Sequence, residues 1–228
     1  MKKKIGFLLI TFFCLGSSIY AQTPGRDFLR NQIKEWGECK NVAMTKSGGD
    51  VALFRSNGWA AQGAPLAMTN KLKELNKNNE DIREIVLTED GSWLILWGDN
   101  GINSNGIPPS LYKKLKKWNS EGEQITSITC NDQGDWVVIS KNKYSASSEK
   151  IMEQLKSGEE KNGELWAAHL TEDGLVACYE KGYNFMGNVP ENLKLKLKDT
   201  SINVFRIKFL SDGAYFFSDL KGNFAYFM

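Results

Sequence analysis

Hydrophobic and polar positions follow the same order several times along the chain, and the segment 82–108 shows the order most clearly. Apolar positions at 82, 85 and 87 lead to the polar turn Glu89-Asp90-Gly91, and a second apolar run spans 93–97. Asp-Gly between two apolar runs predicts a β-hairpin, because glycine accepts a positive φ and aspartate bonds its own backbone. A second turn at Asn100-Gly101 predicts a third strand over 102–107.

Each third strand is followed by a segment with helical spacing. Leu111, Leu115 and Trp118 fall at i, i+4 and i+7, which gives a helix one apolar face. Proline opens most of these segments, where its missing N–H is harmless. The segment NLKLKLKD at 192–199 alternates with a period of two, so it is compatible with either a helix or a strand.

A turn glycine marks five copies of this unit, roughly forty residues apart, a period typical of solenoids, propellers and other repeat arrays. The glycines are Gly48, Gly91, Gly134, Gly174 and Gly213. The approximate repeats are 25–64, 65–107, 108–147, 148–189 and 190–228, within one domain at 22–228. We expect a mainly β fold with short helices, a five-bladed propeller-like ring of helix-strand-strand-strand repeats, because closure removes exposed edges. An open α+β repeat array is the alternative.

The string from Ile82 to Pro108, with DG-x-W, GDNG and GIP before a leucine-rich helix, resembles a tandem repeat of about this length in bacterial exported and multidomain proteins. The resemblance covers nearly the whole chain after residue 21. It implies a propeller-like scaffold used for binding, with no fixed activity. The third copy departs from it, because KNKYSASS has neither the glycine nor the proline.

The first residues have the layout of a secretory signal peptide. Three lysines precede an apolar run at 5–15 that is too short to cross a bilayer. We therefore predict a signal peptide at 1–21 and an exported protein, periplasmic or extracellular, with no membrane span. Thr11, Phe12 and Phe13 precede Cys14 where lipoprotein signals carry a small residue, so we expect no lipid anchor.

Removing residues 1–21 changes the charge balance and leaves three cysteines. Three lysines and no acidic residue are lost from 29 basic and 27 acidic residues, which leaves a net charge of about −1. Such a chain has no electrostatic footprint for nucleic acid. Cys39, Cys130 and Cys178 fall where other copies carry apolar residues, which predicts buried thiols, with one disulfide as the alternative.

Catalytic and metal-binding motifs are sparse. His169 is the single histidine and occupies the strand face opposite the apolar positions, so we expect it to be exposed to solvent. Asp90, Asp173 and Asp212 stand beside turn glycines, which indicates a role in forming the turns. We expect no cofactor and no metal site.

The residues that follow the second turn are the remaining candidates for a binding site. Aromatic faces with neighbouring amides suit sugar or peptide recognition, whereas packing of one repeat against the next is the alternative role. The candidate ligand-binding residues are Trp59, Asn103, Tyr144, Tyr183, Asn184 and Phe224. For Trp93, Trp136 and Tyr215, on the second strands, we expect packing.

These observations favour an exported, non-enzymatic repeat module that binds a protein or glycan partner. The alternative is a hydrolase or lyase that acts on glycans through carboxylates in a propeller cleft, since such hydrolases require only two opposed carboxyl groups.

Overall fold

The computed structural model describes residues 26–228, in which the order helix, strand, strand, strand occurs five times. We call these sets repeats 1 to 5. The fold is mainly β with five short helices, as the sequence predicts. The predicted signal peptide at 1–21 lies outside the described residues.

Each repeat begins with a short amphipathic helix. The helices are α1 Asp27–Trp36, α2 Leu66–Lys77, α3 Pro109–Ser120, α4 Glu149–Asn162 and α5 Glu191–Lys198. Proline precedes three of them, whereas Ser148 starts α4 by accepting a hydrogen bond from the Ile151 N–H. The ambiguous segment 192–199 contributes most of α5. Leu193 and Leu197 are buried while Leu195 is 59% exposed, which is the i, i+4 pattern of a helix.

Three antiparallel strands follow each helix, in sequence order within each sheet. The first strands are β1 Asn41–Met44, β4 Ile82–Leu87, β7 Ile125–Cys130, β10 Leu165–Leu170 and β13 Arg206–Phe209. The second strands are β2 Asp50–Phe54, β5 Trp93–Trp97, β8 Trp136–Ser140, β11 Gly174–Tyr179 and β14 Tyr215–Ser218. The third strands are β3 Gly58–Gln62, β6 Gly101–Asn105, β9 Tyr144–Ala146, β12 Gly182–Gly187 and β15 Phe224–Phe227.

Five apolar clusters bury the helices, and each cluster is formed by one helix and residues from two sheets. A helix packs between the sheet of its own repeat and the sheet of the preceding one, as Leu72 of α2 does between Val51 of repeat 1 and Ile85 of repeat 2. In the same way α1 packs Leu29 against Ala52 of repeat 1 and Phe216 of repeat 5. The last repeat therefore contacts the first through a cluster like the other four.

Hydrogen bonds also join repeats 1 and 5. The Ser218 hydroxyl donates to the Lys40 carbonyl at 2.7 Å, and the Arg30 guanidinium donates to the Met228 carbonyl at 2.6 Å. Strand β1 contacts both β4 and β13. The first strand of repeat 1 thus has a neighbouring first strand on each side.

Candidate functional site

The first strands contain two layers of positions that are equivalent between repeats but hold different side chains. Strand pairing aligns the members of each layer. One layer consists of Ala43, Val86, Thr129, His169 and Lys208. The other lies two positions earlier in each strand and consists of Asn41, Glu84, Ser127, Ala167 and Arg206. The members of these two layers differ in charge and size, whereas the buried positions of the helices are repeatedly leucine. The layers are therefore where the repeats differ most in chemistry.

A buried ion pair between repeats 2 and 5 joins the two layers. The Lys208 ammonium lies 2.9 Å from Glu84 Oε1, and the two side chains are 5% and 2% exposed. The same carboxylate oxygen accepts hydrogen bonds from the Asn41 amide at 2.7 Å and the Ile85 N–H at 3.0 Å. Three donors thus replace the water that this charged group loses on burial.

His169 is half-buried, and not exposed to solvent as the sequence analysis expected; it lines a cavity. Its Nε2 lies 3.2 Å from the Phe209 carbonyl and its Nδ1 lies 3.2 Å from the Thr129 hydroxyl. Because a carbonyl can only accept, Nε2 carries the proton, and Nδ1 accepts from the Thr129 hydroxyl. Burial, together with the nearby charge of Lys208, lowers the pKa of His169 to about 3. The imidazole is therefore neutral at physiological pH.

The cavity beside His169 is lined by residues from all five repeats, and we call it the shared cavity. Its volume is about 60 Å³. Its walls are largely apolar and include Val86, Leu87, Leu170 and Phe209. It lies where the first strands end and enter their turns.

The exposed rim of the shared cavity carries charge, and we call its side chains Lys46, Glu89, Asp132 and Glu172 the mouth. The Lys46 ammonium lies 3.5 Å from Glu172 Oε2, which joins repeat 1 to repeat 4. Glu89 accepts hydrogen bonds from the backbone N–H groups of Lys46 and Ser47. The mouth thus contains three carboxylates and one ammonium group.

The charge of the mouth affects its own acids. Partial burial raises the pKa of Asp132, and the neighbouring charges of Asp90 and Glu89 raise it further. A negatively charged mouth favours cationic groups. The sequence analysis missed these acids, although the second residue after the first strand is charged in four of the five repeats.

The turn acids that the sequence did single out form turns. Asp90 accepts hydrogen bonds from the Thr88 hydroxyl and the Ser92 N–H, which lowers its pKa. Asp212 accepts from the Ala214 N–H at 2.9 Å, and Asp173 accepts from the Asn188 amide at 3.0 Å.

The candidate ligand-binding residues lie on the third strands of five separate sheets. Trp59, Tyr144, Tyr183 and Phe224 each pack against a different apolar cluster. The structure does not bring them together into one pocket. Binding by any of these rings stays a prediction.

Hydrogen bonds tie several of the same residues to neighbouring helices. The Tyr144 hydroxyl donates to Glu159 on α4 at 2.7 Å, and the Asn184 amide donates to the Gln154 carbonyl at 3.1 Å. Asn103 on β6 is exposed. Burial raises the pKa of Tyr183 to about 12. As expected, the second-strand residues Trp93, Trp136 and Tyr215 are buried in the clusters.

The cysteines are buried and free, so the disulfide alternative is wrong for the described residues. Burial raises the pKa values of Cys39 and Cys130 to about 12, and it raises the pKa of Cys178 as well. These thiols are therefore protonated at neutral pH.

Two further features of residues 26–228 limit the chemistry of this region. No group of three or more His, Cys, Asp and Glu side chains there has an arrangement that holds a metal ion. None of the helices in that range combines the length and apolar character needed to cross a bilayer.

Comparison with known proteins finds similarity among solved structures. No family model matches the chain, and no curated protein matches it. Among solved structures, the C-terminal domain of gp131 from bacteriophage phiKZ is similar at 10% sequence identity and a TM-score of 0.40, over 68% of this chain. The match spans 53% of that domain's chain, about half of its length.

Proposed function

We propose that the five sheets close into a propeller-like ring around the shared cavity. The support is the fifth apolar cluster, in which α1 packs between the sheets of repeats 5 and 1 as the other helices pack between consecutive sheets. Contacts between repeats 2 and 5, through Lys208 and Glu84, and between repeats 1 and 4, through Lys46 and Glu172, fit first strands that converge on one axis. An open array would separate those repeats.

We further propose that this ring is an exported, non-enzymatic module that binds a protein partner at the mouth. The observation that carries the proposal is the shared cavity, whose apolar walls come from all five repeats and whose charged rim faces solvent. A concave, mostly apolar site with a few polar groups is the usual form of a binding site.

The volume of the cavity limits what enters it. Cavities that enclose a whole small ligand are roughly 300–1,000 Å³, whereas the shared cavity is about 60 Å³. One side chain or chemical group fits inside, and the rest of the partner must rest on the rim. This favours a protein that places a single side chain at the opening.

The charge of the mouth indicates which side chain that is. Glu89, Asp132 and Glu172 outnumber Lys46, and the ammonium of Lys46 already lies beside Glu172. A lysine or arginine that lies across the rim suits this arrangement, because its aliphatic stem covers the apolar opening while its charged end stays beside the rim carboxylates and away from Lys208 inside the cavity.

A glycan-acting enzyme is the second candidate, since carboxylates of different repeats lie on one rim. Glycosidases need two carboxyl groups on opposite sides of the scissile bond, about 5–10 Å apart. Incubating the protein with polysaccharides and measuring new reducing ends or unsaturated products tests this alternative directly.

The binding proposal is tested with two matched variants. The mouth variant carries Asp132→Asn and Glu172→Gln; the control carries Glu153→Gln and Glu160→Gln on exposed positions of α4, which changes the net charge equally. Both proteins and the wild type are probed on arrays of peptides centred on lysine, arginine, leucine or glutamate, beside a glycan array.

We expect lysine- or arginine-centred peptides to bind the wild type and the control with equal affinity. Binding to the mouth variant should be at least tenfold weaker, about 1.4 kcal/mol. Equal binding by the mouth variant would contradict the proposed site. Binding of glycans alone would replace a protein partner with a carbohydrate, and product formation would favour the enzyme.

A further inference from the structure

A second pocket lies at the opposite end of the first strands from the mouth, and we call it the polar pocket. Its volume is about 340 Å³. It is formed by the segments that precede β1 and β4, by the start of β13 and by the second hairpin turns of repeats 1 and 5. Its charged lining residues are Glu38, Lys40, Arg55, Asp81, Arg206, Asp219 and Lys221.

The carboxylates of this pocket already have partners. Asp81 lies 2.6 Å from the Lys40 ammonium, and Glu38 lies 2.9 Å from the Arg55 guanidinium. Asp219 accepts hydrogen bonds from the Asn223 amide and from two backbone N–H groups of its own turn. These acids are therefore occupied by local contacts.

The remaining cations are not balanced in the same way. Among residues 26–228, neither Arg206 nor Lys221 has a carboxylate within 4.0 Å. Arg206 donates to two backbone carbonyls, those of Asp219 at 3.3 Å and Arg83 at 3.5 Å. A guanidinium has five N–H donors in a planar fork, so most of its capacity is left for a ligand.

A third cation lies beside Arg206. Arg83 donates to the Asp99 carbonyl at 2.7 Å, and no carboxylate of the described residues forms an ion pair with it. Burial lowers the pKa values of Arg206, Arg83 and Lys40; the positive charge of Arg206 lowers those of Arg83 and Lys40 further, whereas nearby carboxylates, Asp81 among them, act in the opposite direction. An added negative charge would relieve this repulsion.

We propose that the polar pocket binds an oxyanion group, such as a phosphate, through Arg206 and Lys221. Guanidinium groups match the planar pairs of oxygens on such anions. The site is independent of the mouth: one end of the first strands carries unbalanced carboxylates and the other carries unbalanced cations. A ring of this kind holds two ligands of opposite charge.

Isothermal titration of the full-length protein with inorganic phosphate, glucose 6-phosphate or glucose, at constant ionic strength set with sodium chloride, tests the proposal. We expect phosphate or its ester to bind and glucose not to bind. Tighter binding of glucose 6-phosphate identifies an ester as the ligand, and equal binding identifies the free ion; either supports the site.

Two variants locate the binding. Arg206→Gln removes the half-buried guanidinium, and Lys221→Gln removes an exposed ammonium that has no carboxylate partner among residues 26–228. Lys181→Gln is the matched control, because Lys181 occupies the equivalent turn of repeat 4 and is 71% exposed. We expect at least tenfold weaker binding for Lys221→Gln and for Arg206→Gln, and wild-type affinity for the control.

Thermal melts of each variant separate lost binding from lost folding. Because Lys221→Gln changes only an exposed side chain, it keeps the test valid if Arg206→Gln unfolds. The proposal is overturned if neither phosphate nor its ester binds, or if Lys221→Gln binds as tightly as the wild type.

Discussion

The five apolar clusters around the helices, which we call the outer clusters, and the two layers of equivalent first-strand positions, which we call the inner layers, follow opposite rules. In the outer clusters the same residue types recur, so that Leu72 of α2 and Leu115 of α3 occupy equivalent, fully buried positions. In one inner layer, the equivalent positions hold side chains as different as Thr129, His169 and Lys208. Both regions are built from the same five repeats.

The difference distinguishes residues that every repeat needs for packing from residues that are particular to one repeat. Repeated leucines serve the packing of one module on the next, a need that every module shares. Polar contacts such as those of Glu84 and His169 occur once each. In a repeat protein, individual chemistry therefore lies where the copies differ.

The largest expected effect comes from breaking the buried ion pair of the inner layers. Glu84→Ala leaves the Lys208 ammonium buried without its carboxylate, so we expect a loss of about 3–5 kcal/mol in the free energy of unfolding. Urea denaturation followed by tryptophan fluorescence measures it. The double variant Glu84→Leu with Lys208→Met should recover most of this loss, because no charge is left unpaired. A loss below about 1 kcal/mol in the single variant would mean that this pair is not buried in solution.

The outer clusters sharpen the comparison through equivalent positions. Leu72→Ala and Leu115→Ala each remove a fully buried leucine, and each should cost about 2–5 kcal/mol. Because the two sites are equivalent, we expect the two losses to agree within about 1 kcal/mol. Denaturation of both variants under one set of conditions checks this. Losses that differ by a factor of two or more would show that the repeats do not pack alike.

His169 gives a pH-dependent effect of intermediate size. Its pKa is lowered to about 3 in the folded protein from an ordinary value of 6.5, so folding favours the neutral ring. This contribution to stability is complete above about pH 6.5 and is lost as the pH falls toward 3. Between pH 7 and pH 5 we expect the wild type to lose about 2 kcal/mol more than His169→Gln.

Unfolding curves of both proteins at the two pH values test the effect of His169. Parallel losses in the wild type and the variant would show that His169 titrates normally and is exposed.

The smallest effect is expected at the mouth. Asp132→Asn removes a partly buried negative charge that lies close to the negative charges of Asp90 and Glu89. We expect a gain of less than about 1 kcal/mol in stability at pH 7, which shrinks in high salt as the charges are screened. Thermal melts at low and high salt detect it. A clear loss of stability would instead indicate that the Asp132 carboxylate forms a needed contact.

The sequence predicts the repeated part of the fold because repetition supplies several observations of each position. Asp-Gly turns and the i, i+4, i+7 spacing of Leu111, Leu115 and Trp118 are local signals, and they identify strands and helices correctly. The α5 segment was ambiguous, since alternating leucines fit either element. Packing decided it, because Leu193 and Leu197 both reach the cluster between repeats 4 and 5.

The sequence does not predict that both faces of the first strands are covered. His169 was assigned to solvent because a sheet packed on one side leaves its other face exposed. That rule fails here, because the first strands of other repeats cover the second face. The mouth was missed for the same reason: Glu89, Asp132 and Glu172 meet only when different repeats do.

The contact between Lys46 of repeat 1 and Glu172 of repeat 4 gives the most direct test of the ring and its shared cavity. A water-soluble carbodiimide joins an ammonium and a carboxylate only when they touch, and mass spectrometry identifies the linked peptides. Mixing isotopically labelled and unlabelled protein distinguishes links within one chain from links between chains. We predict a Lys46–Glu172 link within a single chain, in keeping with their separation of 3.5 Å. A Lys46 that links only to residues of repeats 1 and 2 would contradict the ring.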